Sequence, residues 1–76
     1  MYYKTKDFYL ASTLIYKQYE IKKHESENGN TIFYFEDTPE LRQTVQDYFY
    51  DRITISPHQF QMAVKTAKSI LYAQSQ

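Results

Sequence analysis

Seventy-six residues with nine basic and nine acidic side chains describe one small neutral domain at most, because single domains usually run roughly 50 to 200 residues. Hydrophobic residues at 42% and aromatics at 18% exclude a disordered chain, whose low hydrophobicity cannot offset the entropy of ordering the backbone. The absence of cysteine excludes disulfides and thiolate metal sites, so the core must be stabilised by packing, for which nine tyrosines and five phenylalanines supply the mass, or by association with a partner.

Thr5 precedes a segment, residues 6–18, in which Phe8, Ala11, Leu14 and Ile15 recur at helical spacing with Leu10 on the flank. This predicts an amphipathic helix capped by Thr5. Residues 19–25 and 31–36 are β-prone runs on either side of Glu27-Asn28-Gly29-Asn30, which holds the only glycine, and predict a β-hairpin over about 19–36. A two-residue Asn28-Gly29 turn would set Ile21 opposite Glu36 and split the apolar residues between faces. A three-residue loop, Glu27-Asn28-Gly29 with Gly29 left-handed, sets Ile21 opposite Phe35 and Lys23 opposite Phe33, and is the expected register.

Asp37-Thr38-Pro39-Glu40 predicts the start of a second helix over about 38–50, with Asp37 as cap, Pro39 in the first turn and Glu40 completing a capping box. Leu41, Val45, Tyr48 and Phe49 form its apolar stripe. Ile53 and Ile55 then alternate with Arg52 and Thr54 as in a short strand, over too few residues to fix one. Ser56-Pro57-His58-Gln59 repeats the start signal, and Phe60, Val64, Ala67 and Leu71, widened by Ala63 and Ile70, predict a third helix over about 57–73. The order helix, hairpin, helix, optional strand, helix makes an α+β domain with helices packed on one face of a small antiparallel sheet.

Residues 1–7 carry positive charge without an apolar run behind them, and the longest apolar segment, residues 8–16, is broken by Ser12 and Thr13. Neither is a secretory leader or a membrane span, and the expected setting is the cytoplasm.

Several stretches carry a family resemblance. They are Tyr3-Lys4-Thr5-Lys6-Asp7 with Leu10-Ala11 and Leu14; Phe33-Tyr34-Phe35-Glu36-Asp37-Thr38-Pro39-Glu40-Leu41 with Asp47-Tyr48-Phe49; and Phe60, Ala63, Lys68, Leu71 and Tyr72. In these the chain resembles a family of short prokaryotic proteins known only as a domain of unknown function. The resemblance implies a prokaryotic or phage origin and a compact stand-alone domain; it implies no activity and no site.

A single glycine cannot build the loops that bring backbone amides onto phosphate, which excludes Rossmann and P-loop nucleotide sites. Tyr19-x-x-x-Lys23 matches a dehydrogenase spacing, but it falls on a predicted strand without a cofactor loop. His24 and His58 are too far apart in sequence to pre-set a shared metal face with Glu25 or Glu27. Asp37 and Glu40 are explained by capping, and Ser12 and Ser56 lack a recognisable histidine and acid. The expectation is therefore a non-enzyme with no catalytic residues, no metal and no cofactor.

Charge placement says more than total charge. Residues 1–23 hold five lysines against Asp7 and Glu20, a net +3; residues 24–51 hold seven acids against Arg42, a net −6; the remainder holds Arg52, Lys65 and Lys68 and no acid, a net +3. On the third helix His58, Gln61, Lys65, Lys68 and Tyr72 fall on one side, turned away from the Phe60 stripe, as a candidate binding face. Near the N-terminus Tyr2, Tyr3, Lys4, Lys6, Tyr9, Tyr16 and Lys17 form a candidate aromatic and basic surface. The expected function is an interaction domain that binds a protein partner or a second copy of itself through a Tyr/Lys surface. The alternative is a small DNA- or RNA-associated regulator using the third-helix row.

Overall fold

The structure, a computed structural model, describes residues 1–74. In chain order it contains β1 (Tyr2–Thr5), α1 (Phe8–Tyr16), β2 (Ile21–Glu27), β3 (Asn30–Glu36), α2 (Pro39–Phe49) and α3 (Pro57–Gln74). The strands make one antiparallel sheet in the order β1-β3-β2. Phe33 and Phe35 of the central strand are buried with Leu10, Ala11 and Leu14 of α1 and Leu41 of α2, so the helices cover one face of the sheet, as an α+β domain requires.

Strand β1 is an element the sequence did not predict. Tyr2-Tyr3-Lys4-Thr5 is β-prone but only four residues long, and it is fixed by pairing with β3, Tyr3 opposite Phe35 and Thr5 opposite Phe33. It also shifts the start of α1. The cap is Asp7, not Thr5: Asp7 Oδ1 accepts from the backbone N–H groups of Tyr9 and Leu10 at 3.1 and 3.0 Å, while Thr5 Oγ1 accepts from the Asp7 N–H.

Helix α1 is buried over five consecutive residues, Leu10 to Leu14. At about 100° per residue that run covers the full circumference, so α1 is enclosed rather than laid on the surface by one stripe. Ser12 and Thr13 are tolerated inside because their hydroxyls donate to the carbonyls of Phe8 and Tyr9 at 2.9 and 2.8 Å. The most extensive helix contact is with α3, which places Ala63 and Ala67 on its buried face. Small residues there let the two helices come close.

Helices α1 and α2 end in the same way. In α1 the N–H of Gln18 bonds to the Ile15 carbonyl and that of Tyr19 to the Leu14 carbonyl; in α2 Asp51 bonds to Tyr48 and Arg52 to Asp47. Both turns need a left-handed residue, supplied by Gln18 at φ 76° and Asp51 at φ 59°. A side chain in that conformation costs roughly 1–2 kcal/mol, part of which glycine returns through its greater freedom in the unfolded chain. Gln18→Gly is accordingly expected to raise stability by about 0.5–1 kcal/mol, and a urea midpoint below that of wild type would contradict it.

The hairpin resolves two competing demands. The loop is the two-residue Asn28-Gly29 turn, both residues at positive φ, with Glu27 opposite Asn30 and Lys23 opposite Tyr34. The expected three-residue loop and the Lys23–Phe33 pair are therefore overturned, because Asn-Gly suits the tight turn that matches strand twist. Ile21 nevertheless stands opposite Phe35, as the core requires, since the register shifts between Ile21 and Lys23. The extra residue sits at Lys22 instead of in the loop.

Helix α2 is capped by Thr38, whose Oγ1 accepts the Leu41 N–H at 3.1 Å, and not by Asp37. Asp37 instead takes both Arg42 guanidinium donors, at 2.8 and 2.7 Å, and this bidentate bond is the main reason its carboxyl is held below the ordinary carboxylate value. A depressed folded value stabilises the fold above the ordinary carboxylate range and is lost as pH falls through it. Arg42→Gln should therefore lower stability near neutral pH, with the gap to wild type closing in acid. A gap equal at about pH 7 and about pH 2.5 in urea titrations would remove this assignment.

Residues 51–56 form no strand. The turn at Asp51 and a hydrogen bond from the Ser56 N–H to the Tyr16 hydroxyl, 2.8 Å, hold this segment beside α1 and the start of α3. Ser56 does stand immediately before α3, and its carbonyl accepts the Phe60 N–H.

Candidate functional site

The five residues of the predicted α3 face, His58, Gln61, Lys65, Lys68 and Tyr72, are all exposed. Helical spacing brings them to one side, opposite buried Ala63 and Ala67. Lys65 and Lys68 take part in no ion pair among the described residues.

The predicted aromatic and basic set does not come together. Tyr3 packs on the core with the Arg42 guanidinium 5.1 Å from its ring centre. Tyr16 is tied to Ser56, meets Phe60 edge-on at 6.1 Å and has the Lys17 ammonium over its ring at 5.9 Å. Only Tyr2, Lys4 and Lys6 share a region, at the uncovered face of the sheet, and Tyr9 stands apart on α1. The signal that misled was sequence proximity, which β1 breaks by turning alternate residues to opposite faces.

The uncovered sheet face satisfies itself. Tyr2 meets Tyr34 edge-on at 5.7 Å, the Lys23 ammonium lies 4.7 Å from the Tyr34 ring centre, and the Tyr34 hydroxyl donates to Glu25. That hydrogen bond, then Lys23, holds the Glu25 carboxyl below its ordinary value, and the same bond pushes the Tyr34 phenol up. Lys6 pairs with Glu27 at 3.0 Å and the amino terminus approaches Glu36 at 4.0 Å. Ile32 is buried in this region, where Lys4, Lys6 and Glu27 line a shallow pocket with it. Lys4, Lys6, Lys23 and the amino terminus stand against Glu25, Glu27 and Glu36, so most of the positive charge on this face is offset by acids.

A third surface was not anticipated. Phe49 was expected in the core with Leu41, Val45 and Tyr48, but it is 63% exposed, as is Tyr50. Leu41, Val45 and Tyr48 already fill the buried arc of α2, and the Phe49 ring meets the Tyr48 ring edge-on at 5.1 Å. Beyond them Tyr48, Ile53, Ile55, Phe60, Thr13 and Asp51 line a pocket of about 190 Å³ between the end of α2 and the start of α3. Tyr9, 60% exposed, lies one helical turn before Thr13 on the same side of α1. Burial pushes the Tyr48 phenol up. Exposed aromatic residues around an apolar pocket are uncommon on a small soluble domain and mark contact sites. The signal in the sequence was Phe49-Tyr50 followed by Ile53 and Ile55, four large apolar residues in seven, more than one stripe or one short strand uses.

A wider groove of about 430 Å³ runs between the end of α1 and the first turns of α3, with Tyr16, Gln18, Gln59, Met62 and Thr66 among its walls. Its lining is mixed, with Ile15 and Ala63 completing the apolar walls. His24 lies on β2 and His58 in the first turn of α3, and the described residues contain no group of three side chains placed to hold a metal ion. No helix among the described residues is long and apolar enough to cross a membrane.

No curated protein and no solved structure matches this chain. One family model does, over residues 1–73 of the 76. It takes in every strand and helix described above except the last residue of α3, and by that match the chain belongs to the family described as a domain of unknown function, DUF5659.

Proposed function

We propose that this domain is a non-enzymatic interaction module that binds a protein partner or a second copy of itself, and that the corner between α2 and α3 is its contact surface. The observation that carries this reading is the pair Phe49 and Tyr50, adjacent, each 63% exposed, beside an apolar pocket. Of the tyrosine and lysine surface expected from the sequence, Tyr9 lies on the same side of α1 as Thr13, a wall of this pocket. The non-enzymatic part is supported by how the polar side chains are already used. Asp7 and Thr38 cap helices, Ser12 and Thr13 bond to carbonyls, Asp37 holds Arg42, and Glu25 accepts from Tyr34. A cytoplasmic setting in a prokaryote or phage host is part of the same proposal, resting on the family resemblance, and the genes beside its coding sequence test it.

Phe49→Ser/Tyr50→Ser is the deciding variant, since both side chains are exposed and their loss leaves the core intact. Wild type is expected to self-associate in sedimentation equilibrium, or to bind a defined partner in quantitative capture, with the variant losing that binding by about tenfold or more. A wild type that is monomeric at millimolar concentration and shares every captured protein with the variant sinks the reading.

One observation favours a second reading, a nucleic-acid-associated regulator. The α3 face is exposed, acid-free and carries Lys65 and Lys68 without ion-pair partners among the described residues. Fluorescence anisotropy with single- and double-stranded DNA and RNA at two salt concentrations decides it: binding that weakens with salt and is lost in Lys65→Glu/Lys68→Glu supports it, and none in wild type removes it.

A further inference from the structure

We propose that the pocket at the α2–α3 corner is a receptor for an aliphatic side chain ending in a primary ammonium, a lysine from the protein partner; this rests on the interaction reading above. The walls have two characters. Ile53, Ile55, Phe60 and the Tyr48 ring are apolar, and the Thr13 hydroxyl is already committed to the Tyr9 carbonyl. What remains for a ligand inside is a hydrocarbon stem. At about 190 Å³ the space exceeds the roughly 150 Å³ of an engineered cavity that holds benzene, so a four-carbon stem fits.

The lip supplies the charge. Asp51 is exposed, lines the pocket and forms no ion pair among the described residues. The turn around it is held by two hydrogen bonds, from its own N–H to the Tyr48 carbonyl at 3.2 Å and from the Arg52 N–H to the Asp47 carbonyl at 2.8 Å, which fixes where the carboxylate starts from. The adjacent cation does not neutralise it. Arg52 reaches Asp47 at 3.7 Å and stacks 5.0 Å from the Tyr50 ring centre. An anion is therefore repelled, and a neutral aliphatic group leaves Asp51 unmatched. A lysine buries its methylenes and keeps its ammonium at the solvent edge, where exposed Asp51 lines the pocket.

The test uses n-butylammonium chloride as a stand-in for lysine, with n-butanol as the neutral control. The probes are followed by NMR at the methyl groups of Ile53 and Ile55 in the full chain. The expected result is saturable shifts from both, with n-butylammonium binding at least about threefold more tightly. Asp51→Asn, which keeps a residue tolerant of positive φ and hence the turn, is expected to erase that preference. Absence of saturation by n-butylammonium, equal affinity for the two probes, or a preference that survives Asp51→Asn each overturns the proposal. These readouts need no partner. Failure here leaves the Phe49/Tyr50 test standing, and failure of that test leaves this one readable.

Discussion

Phe35→Ala is expected to abolish cooperative folding or to lower Tm by at least about 15 °C, read by far-ultraviolet circular dichroism on heating. Phe35 is fully buried on the central strand, paired with Tyr3 on one side and Ile21 on the other, and its ring is part of the cluster with Leu10, Leu14 and Leu41. Truncating a buried phenylalanine costs about 3–5 kcal/mol, from lost transfer energy and from the cavity left behind. A domain of this length has roughly 4–11 kcal/mol in total. The loss is thus a large fraction of the whole, and each kcal/mol moves Tm by about 4–8 °C at this size. A cooperative transition within about 5 °C of wild type would show that the β3 face is not where the core's stability resides.

Ala67→Leu should be the second most damaging change, for the opposite reason. Ala67 is fully buried on the side of α3 that meets α1, and Ala11 is fully buried on α1. Three added carbons have no void to enter, so side chains leave their rotamers or the helices separate, at about 1–3 kcal/mol. The neighbouring Lys68→Leu is the control. It places the same leucine on the exposed face and is expected to stay within about 0.5 kcal/mol of wild type. Equal effects from the two would mean that α3 is not packed through its small residues.

What the residues revealed beforehand followed from local rules. The stripe Phe60, Ala63, Val64, Ala67, Ile70 and Leu71 is periodic over several turns, so α3, its buried side and its exposed row were readable together. The hairpin was readable from Asn28-Gly29 between two β-prone runs, but not the position of its irregularity. Turn chemistry and core alternation conflicted by one residue, and only the three-dimensional pairing shows that Lys22 takes up the difference. Strand β1 was hidden because its partner lies some thirty residues away. The enclosure of α1 was hidden because Ser12 and Thr13 read as surface until their hydroxyls are seen to bond within the helix. At the corner between α2 and α3 the same limit applied. Phe49 has the right phase for α2's apolar stripe, yet the stripe was already full, and Ile53 and Ile55 looked like a strand because nothing local revealed that Ser56 is tethered to Tyr16.

The enclosure of α1 has a consequence for synthesis. The helix is complete once Tyr16 has been added, but α3, with which it makes its most extensive helix contact, is made only after β2, β3 and α2. Until α3 has emerged from the ribosome, the side of α1 that it covers stays open, although the residues of the buried cluster, Leu10, Leu14, Phe33, Phe35 and Leu41, are already in the chain. Translation that stops after α2 therefore yields a fragment with an open apolar flank, a substrate for chaperones and proteases. The domain becomes resistant to both once α3 docks.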